Sequence, residues 1–101
     1  MSFDNIRTND INRYIGRPGV LIIDLRDPQE YATGHIPTAI NIPYEDLEEQ
    51  KRSLSRNVLL IFYCDRGNIS LLAARDMLKE GYHIKSLFGG LREYRGILAR
   101  E

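Results

Sequence analysis

Two runs in this chain are apolar almost without interruption, "VLIIDL" (20–25) and "VLLIFY" (58–63). A strand with one wet face alternates, whereas a strand covered on both faces does not, so both read as fully buried strands. "HIKSLF" (83–88) is a third strand and "AINI" (39–42) a shorter one. Between them the spacing turns helical. "TNDINRYIG" places Ile11, Tyr14 and Ile15 on one face, with Thr8 or Asn9 to cap its start and Gly16 its end. "DPQEYATG" predicts a short helical turn with Pro28 in its first turn and Gly34 as its stop. Pro43 opens "YEDLEEQKRSLSR", a surface helix with Tyr44, Leu47 and Leu54 as its buried side. In "NISLLAARDMLKEG" the polar residues Asn68, Arg75, Asp76 and Lys79 share one stripe, and Gly81 ends the helix. "LREYRGIL" places Leu91, Tyr94, Ile97 and Leu98 on one face of a last helix that Gly96 weakens. Buried strands alternating with helices predict an α/β sandwich around a mostly parallel sheet.

Composition narrows the classes. With 101 residues, 43% hydrophobic and 28% charged, the chain is expected to form one globular domain over residues 1–101 with one modest core. Lys+Arg and Asp+Glu both number 14, so no basic footprint points to a nucleic acid partner. No apolar stretch approaches the roughly 20 residues of a membrane span. The opening "MSFDNIRTND" lacks the basic and apolar regions of an export signal. A lone cysteine cannot form an internal disulfide, and the expected location is the cytoplasm. Cys64, His35 and His83 have no ligand-like spacing, so no metal is expected.

That cysteine, Cys64, stands where a buried strand meets a helix, in "LLIFYCDRGNISLLAARDML" (59–78). Parallel α/β sheets bind ligands beyond the carboxyl ends of their strands. The loop that follows is Asp65, Arg66, Gly67, Asn68, Ile69 and Ser70. Gly67 lets it curl, so that successive N–H groups form an anion-binding nest, and the next helix adds its positive end. Such donors favour the thiolate over the thiol, and would equally hold an anionic group borne on the sulfur. A lone cysteine at a strand end is often no more than a small apolar residue; the glycine-bearing strand–loop–helix setting favours a reactive thiol.

Three segments together resemble the rhodanese-like family. "LIIDLRDPQEYATGHIPTAINIP" (21–43) is similar to its N-terminal signature: Asp–x–Arg at a strand end, Glu–Tyr, then Gly–His–Ile–x–x–Ala–x–Asn–Ile–Pro. "YCDRGNIS" resembles its active-site loop, and "LFGGLREYRG" (87–96) its closing Gly–Gly segment. The resemblance implies a three-layer α/β/α sandwich with a five-stranded sheet. It also implies a sulfurtransferase without cofactor, in which Cys64 takes a sulfane sulfur from a donor such as thiosulfate and passes it to cyanide or a thiol. On this pattern Cys64 is the nucleophile and persulfide carrier, and Asp65 to Ser70 form the substrate cradle; a monomer is the expected state of the chain. Two positions depart from the pattern. Ile69 stands where thiosulfate-using members often have a basic residue, leaving Arg66 as the loop's cation, and Leu91 stands where many have Trp.

The other motif residues are expected to be structural. Asp24 and Arg26 tie neighbouring loops, Glu30 pairs with Arg26, His35 is structural rather than a base, and His83 is neither. A cysteine phosphatase would need Arg at the sixth position after the cysteine, where this chain has Ser70. A non-catalytic interaction module is the main rival, and a carrier loaded by a protein such as a cysteine desulfurase is another. A redox sensor is disfavoured, because no second cysteine could resolve a sulfenic acid.

Overall fold

A computed structural model describes residues 5–100. Residues 1–4, the first of the opening stretch in which no export signal is expected, lie outside it. The strands are β1 (Asn5–Ile6), β2 (Val20–Asp24), β3 (Ile40–Asn41), β4 (Leu59–Tyr63) and β5 (His83–Leu87). They form one sheet in the order β1-β5-β4-β2-β3, and every ladder is parallel. The helices are α1 (Pro28–Thr33), α2 (Tyr44–Gln50) and α3 (Asn68–Lys79), and Thr8–Arg13 is a 3-10 turn. Both edge strands have only two residues, which leaves little unpaired edge. Among the described residues no helix is long and apolar enough to cross a membrane.

The α/β sandwich explains the unalternating strands. Ile23, Leu60, Phe62 and Ile84 face a core shared with Leu47 of α2 and Ala73, Ala74 and Met77 of α3. Ile22, Ile61, Tyr63 and Leu87 face the opposite core, closed by Ile11, Ile36, Ala39 and Tyr94. At about 25 cal/mol per Å² of apolar area, both faces of the central strands contribute to stability.

Several elements are shorter than their patterns predict. The first helix is a 3-10 turn whose N-cap is Arg7, with no side-chain cap from Thr8 or Asn9. The α2 helix stops at Gln50 and continues as a 3-10 turn over Lys51–Ser53. That turn carries Leu54 into the core, while Tyr44 is exposed rather than buried. The predicted last helix is absent: only Leu91–Glu93 turn, as 3-10. The Tyr94 hydroxyl folds back to donate to the Ile97 carbonyl (2.7 Å). A Cβ at position 96 would lie 2.3 Å from that hydroxyl, so the chain passes through space that a side chain there would fill. Ala99 then bridges to His35 in antiparallel fashion, leaving Ile97 and Leu98 outside the core.

One turn carries strain. The Ala39 N–H donates to the Ile36 carbonyl (3.0 Å) around Pro37 and Thr38, and Thr38 has φ 72°. That resembles a type II turn, whose third position favours glycine. A β-branched residue there costs on the order of 1 kcal/mol. Thr38→Gly is expected to stabilise the fold by about 1 kcal/mol and raise the thermal midpoint by roughly 4–8 °C. A lowered midpoint in calorimetry would show that the turn is not strained.

Candidate active site

β2 and β4 are neighbours, yet the chain leaves β2 toward β3 on one side and leaves β4 toward β5 on the other. This is a topological switch point, where the loops after two adjacent strands splay apart and open a crevice. Asp24 pairs with Tyr63 at the ends of these strands, so Leu25 and Cys64 emerge side by side. A cavity of about 360 Å³ opens there, with Leu25, Arg26, Tyr44, Cys64 and Ile69 among its walls.

The wall after β2 is held by a buried ion pair. Asp24 is fully buried and accepts hydrogen bonds from the Arg26 backbone N–H (2.8 Å), Nε (3.1 Å) and Nη2 (2.8 Å). Arg26 Nη2 also donates to the Gly34 carbonyl (2.7 Å). Burial works against the Arg26 charge, but the hydrogen bonds and attraction from Asp24 outweigh it and raise its pKa. Burial first, and then the Asp24 carboxylate, keep the Tyr63 phenol protonated far above the usual tyrosine range. The Ile36 N–H donates to the Tyr63 hydroxyl (3.0 Å). The Asp24 and Arg26 carbonyls accept from Asn41 Nδ2 (3.0 and 2.9 Å). The predicted Asp24–Arg26 tie is therefore present. Glu30 does not form the predicted pair with Arg26. Its carboxylate accepts from the Asp27 N–H (3.2 Å) in a capping box, which satisfies the start of α1. His35 is buried, stacks on Tyr31 with ring centroids 3.7 Å apart, and donates through Nδ1 to the Tyr31 carbonyl (2.9 Å). Both contacts tie it to α1, and His83 lies exposed at the start of β5.

Cys64 lies at the inner end of the cavity, with 4% of its surface exposed. Its Sγ accepts from the Gly67 N–H (3.1 Å) and the Ser70 N–H (3.4 Å), and lies 3.7 Å from Ser70 Oγ. Gly67, at φ 98°, is the N-cap of α3 and makes the bend that brings both donors onto the sulfur. The rest of the predicted cradle behaves differently. The Ile69 N–H donates to Asn68 Oδ1 (3.0 Å) instead, and the Ile69 side chain is exposed. The side chains of Asp65 and Arg66 are half or more exposed and 3.8 Å apart. Ser70 is buried, and its hydroxyl donates to the Gly67 carbonyl (3.1 Å).

Sequence reasoning missed Ser86 in β5. It is buried, and its Oγ lies 2.9 Å from Ser70 Oγ. Ser70 has one hydroxyl proton, and that proton goes to Gly67, so Ser86 is the donor of this pair. Its signal was a polar residue on the Ile84 side of a strand otherwise apolar on that face. Asn41 was missed as well, although Asn stands in the motif.

The loop is braced from behind by Gly89 and Gly90. The Leu91 and Arg92 N–H groups donate to the Cys64 and Asp65 carbonyls (2.9 Å each), turning both carbonyls away from the cavity. A Cβ on Gly90 would lie 2.5 Å from the Asp65 carbonyl oxygen and 2.6 Å from that of Cys64.

The chain matches the rhodanese-like domain model over residues 8–96, and it belongs to that family. It is 38% identical over 80 residues to a tRNA sulfurtransferase of Desulfurococcus amylolyticus, covering 79% of this chain and 16% of that protein. It is 33% identical over 76 residues to a putative sulfur carrier protein of Bacillus subtilis, covering 74% of this chain and 41% of that protein. The match thus spans less than half of either curated relative. The crystal structure of a rhodanese-related protein from Thermoplasma volcanium superposes with a TM-score of 0.86 at 27% identity, covering 98% of this chain and 100% of that one.

Gly90→Ala is expected to destabilise the fold by on the order of 2–3 kcal/mol, because both the positive φ of 65° and the close backbone contact oppose a side chain. The same variant should alkylate faster at Cys64 as its loop loosens. An unchanged thermal midpoint together with an unchanged alkylation rate would show that this segment does not brace the loop.

Proposed function

We propose that the protein is a sulfurtransferase that carries a sulfane sulfur as a persulfide on Cys64. The observation behind this reading is the sulfur at the inner end of the cavity, held by the Gly67 and Ser70 N–H groups. Those donors stabilise a thiolate before transfer, and the negative charge of a persulfide after it. The thiolate attacks the sulfane sulfur of the donor. With thiosulfate, the S–S bond breaks, sulfite leaves with the electron pair, and Cys64 is left as the persulfide. An acceptor nucleophile, cyanide or a thiolate, then attacks the outer sulfur and returns the Cys64 thiolate. No net oxidant is needed, and no other group of the protein has to change protonation state.

The cradle roles of Asp65 to Ser70 divide on this reading. Gly67 and Ser70 bind the sulfur, Asp65, Arg66 and Asn68 form the mouth, and Ile69 supplies an apolar wall. Ser70 is buried and held by Gly67 and Ser86, so the position a phosphatase would fill with a guanidinium offers a hydroxyl. That favours sulfur over a phosphoryl group. The cytoplasm is the compartment in which a solitary thiol of this kind stays available.

Intact-protein mass spectrometry tests the reading. After incubation with thiosulfate, or with a small-molecule persulfide, and removal of the excess, wild type is expected to gain one sulfur atom that cyanide releases. Cys64→Ser is expected to gain none. A wild type that gains nothing from either donor would sink the enzymatic reading and leave the interaction module.

A further inference from the structure

The chain is neutral overall, but its charge is not evenly spread around the sulfur. The rim of the Cys64 cavity carries the carboxylates of Asp27, Glu30, Glu45 and Asp65. Arg26, also in this wall, is neutralised by Asp24. Arg66 is the remaining cation in the lining, and it lies 3.8 Å from Asp65, which also meets Arg92 at 3.4 Å. A second cavity of about 260 Å³ adjoins the first and shares Tyr44 and Glu45 with it. It runs between α2 and α3, with Glu48, Asp76 and Glu80 along it. Its lysine, Lys51, is already held by Glu48 (2.7 Å) and Glu80 (2.6 Å). Together the two cavities make an acidic groove that leads away from Cys64.

The groove is also apolar where a partner would touch it. Tyr44 and Ile69, which line it, are exposed at 44% and 40%, and Leu72, outside that lining, at 55%. Ile69 and Leu72 are three residues apart on α3, so they lie on one face of it, and Tyr44 opens α2 across the groove. Exposed apolar side chains beside carboxylates that outnumber the cations suit an extended polypeptide with basic side chains. They suit a free dianion such as thiosulfate, or the phosphates of an RNA, less well, because the same carboxylates repel it and slow its approach.

We propose that the sulfur donor of this site is a cysteine persulfide on a partner polypeptide, flanked by lysine or arginine, that lies in the groove between α2 and α3. The proposal rests on the Cys64 persulfide reading and names its donor class. In the step, the Cys64 thiolate attacks the outer sulfur of the partner persulfide. The S–S bond of the partner breaks, its cysteine leaves as a thiolate with the electron pair, and Cys64 becomes the persulfide. The carboxylates act on approach and docking, and Tyr44 and Ile69 supply apolar contact.

The test uses three peptides of equal length, each with one cysteine persulfide flanked by Lys, Ser or Glu. Arrival of sulfur at Cys64 is timed by alkylation quench and intact mass. The Lys-flanked peptide is expected to react at least about tenfold faster than the Glu-flanked one at low ionic strength, with the gap shrinking in high salt. Glu45→Lys, an exposed change on the shared rim, is expected to narrow the gap by about threefold or more. Equal rates for the three peptides, or a faster Glu-flanked peptide, would overturn the proposed donor class and leave the persulfide cycle intact. No transfer from any of them, with none from a small-molecule persulfide, would overturn the cycle as well.

Discussion

The carboxyl end of the sheet depends on one buried pair, Asp24 with Arg26. Asp24 ends β2 with no exposed surface, and no water can solvate its charge. Three donors of Arg26 do so instead, and the guanidinium that satisfies Asp24 also reaches the Gly34 carbonyl. The loop after β2 is thereby folded back on itself. The Asp24 carbonyl meanwhile takes the Ile42 N–H and Asn41 Nδ2, which docks β3 beside it, and the Leu25 carbonyl takes the Tyr44 N–H at the start of α2. A buried pair of this kind adds little net stability over an apolar substitute, but removing one partner is costly. Its value here is geometric. It fixes the wall opposite Cys64, and so sets the width of the crevice at the switch point.

The opposite wall is fixed by backbone. Gly67 turns two N–H groups onto the sulfur, while Gly90 lets the segment after β5 approach closely enough to take the carbonyls of Cys64 and Asp65. The two sets of hydrogen bonds divide the loop by polarity, donors inward and acceptors outward. That division is what the proposed chemistry requires, because the sulfur is anionic in the attacking thiolate and gains a second, anionic sulfur in the persulfide. A carbonyl turned toward it would repel both.

Much of this was readable in the residues, and the failures share a cause. Unalternating apolar runs located β2 and β4, because burial on both faces leaves a mark at every position. Asp–x–Arg, the Gly67 loop and Gly–Gly carried the site, because each marks a local backbone requirement. The last helix failed because four apolar residues at helical spacing looked like a buried face, while the Tyr94 hydroxyl had claimed the space over Gly96. Glu30 was assigned to Arg26 by charge, whereas the nearer backbone N–H of Asp27 won it. Ser86 escaped because its role is set by a partner sixteen residues away on another element. Local chemistry is written in local sequence; contacts made by tertiary packing are not.

The charge around the site then separates into two ranges. The cradle donors act within about 3.5 Å of Cys64 Sγ, the atom to which, on the proposed cycle, the incoming sulfur atom becomes bonded. The rim carboxylates act over a Debye length, about 8 Å at physiological salt, and concern whatever carries that atom in. A neutral chain can hold both, since total charge says nothing of its placement. On the proposed cycle this arrangement relieves a conflict. A site that holds an anionic sulfur would ordinarily gather anions of every kind. An acidic approach to that cradle slows free anions, and favours a sulfur that arrives on a cationic carrier.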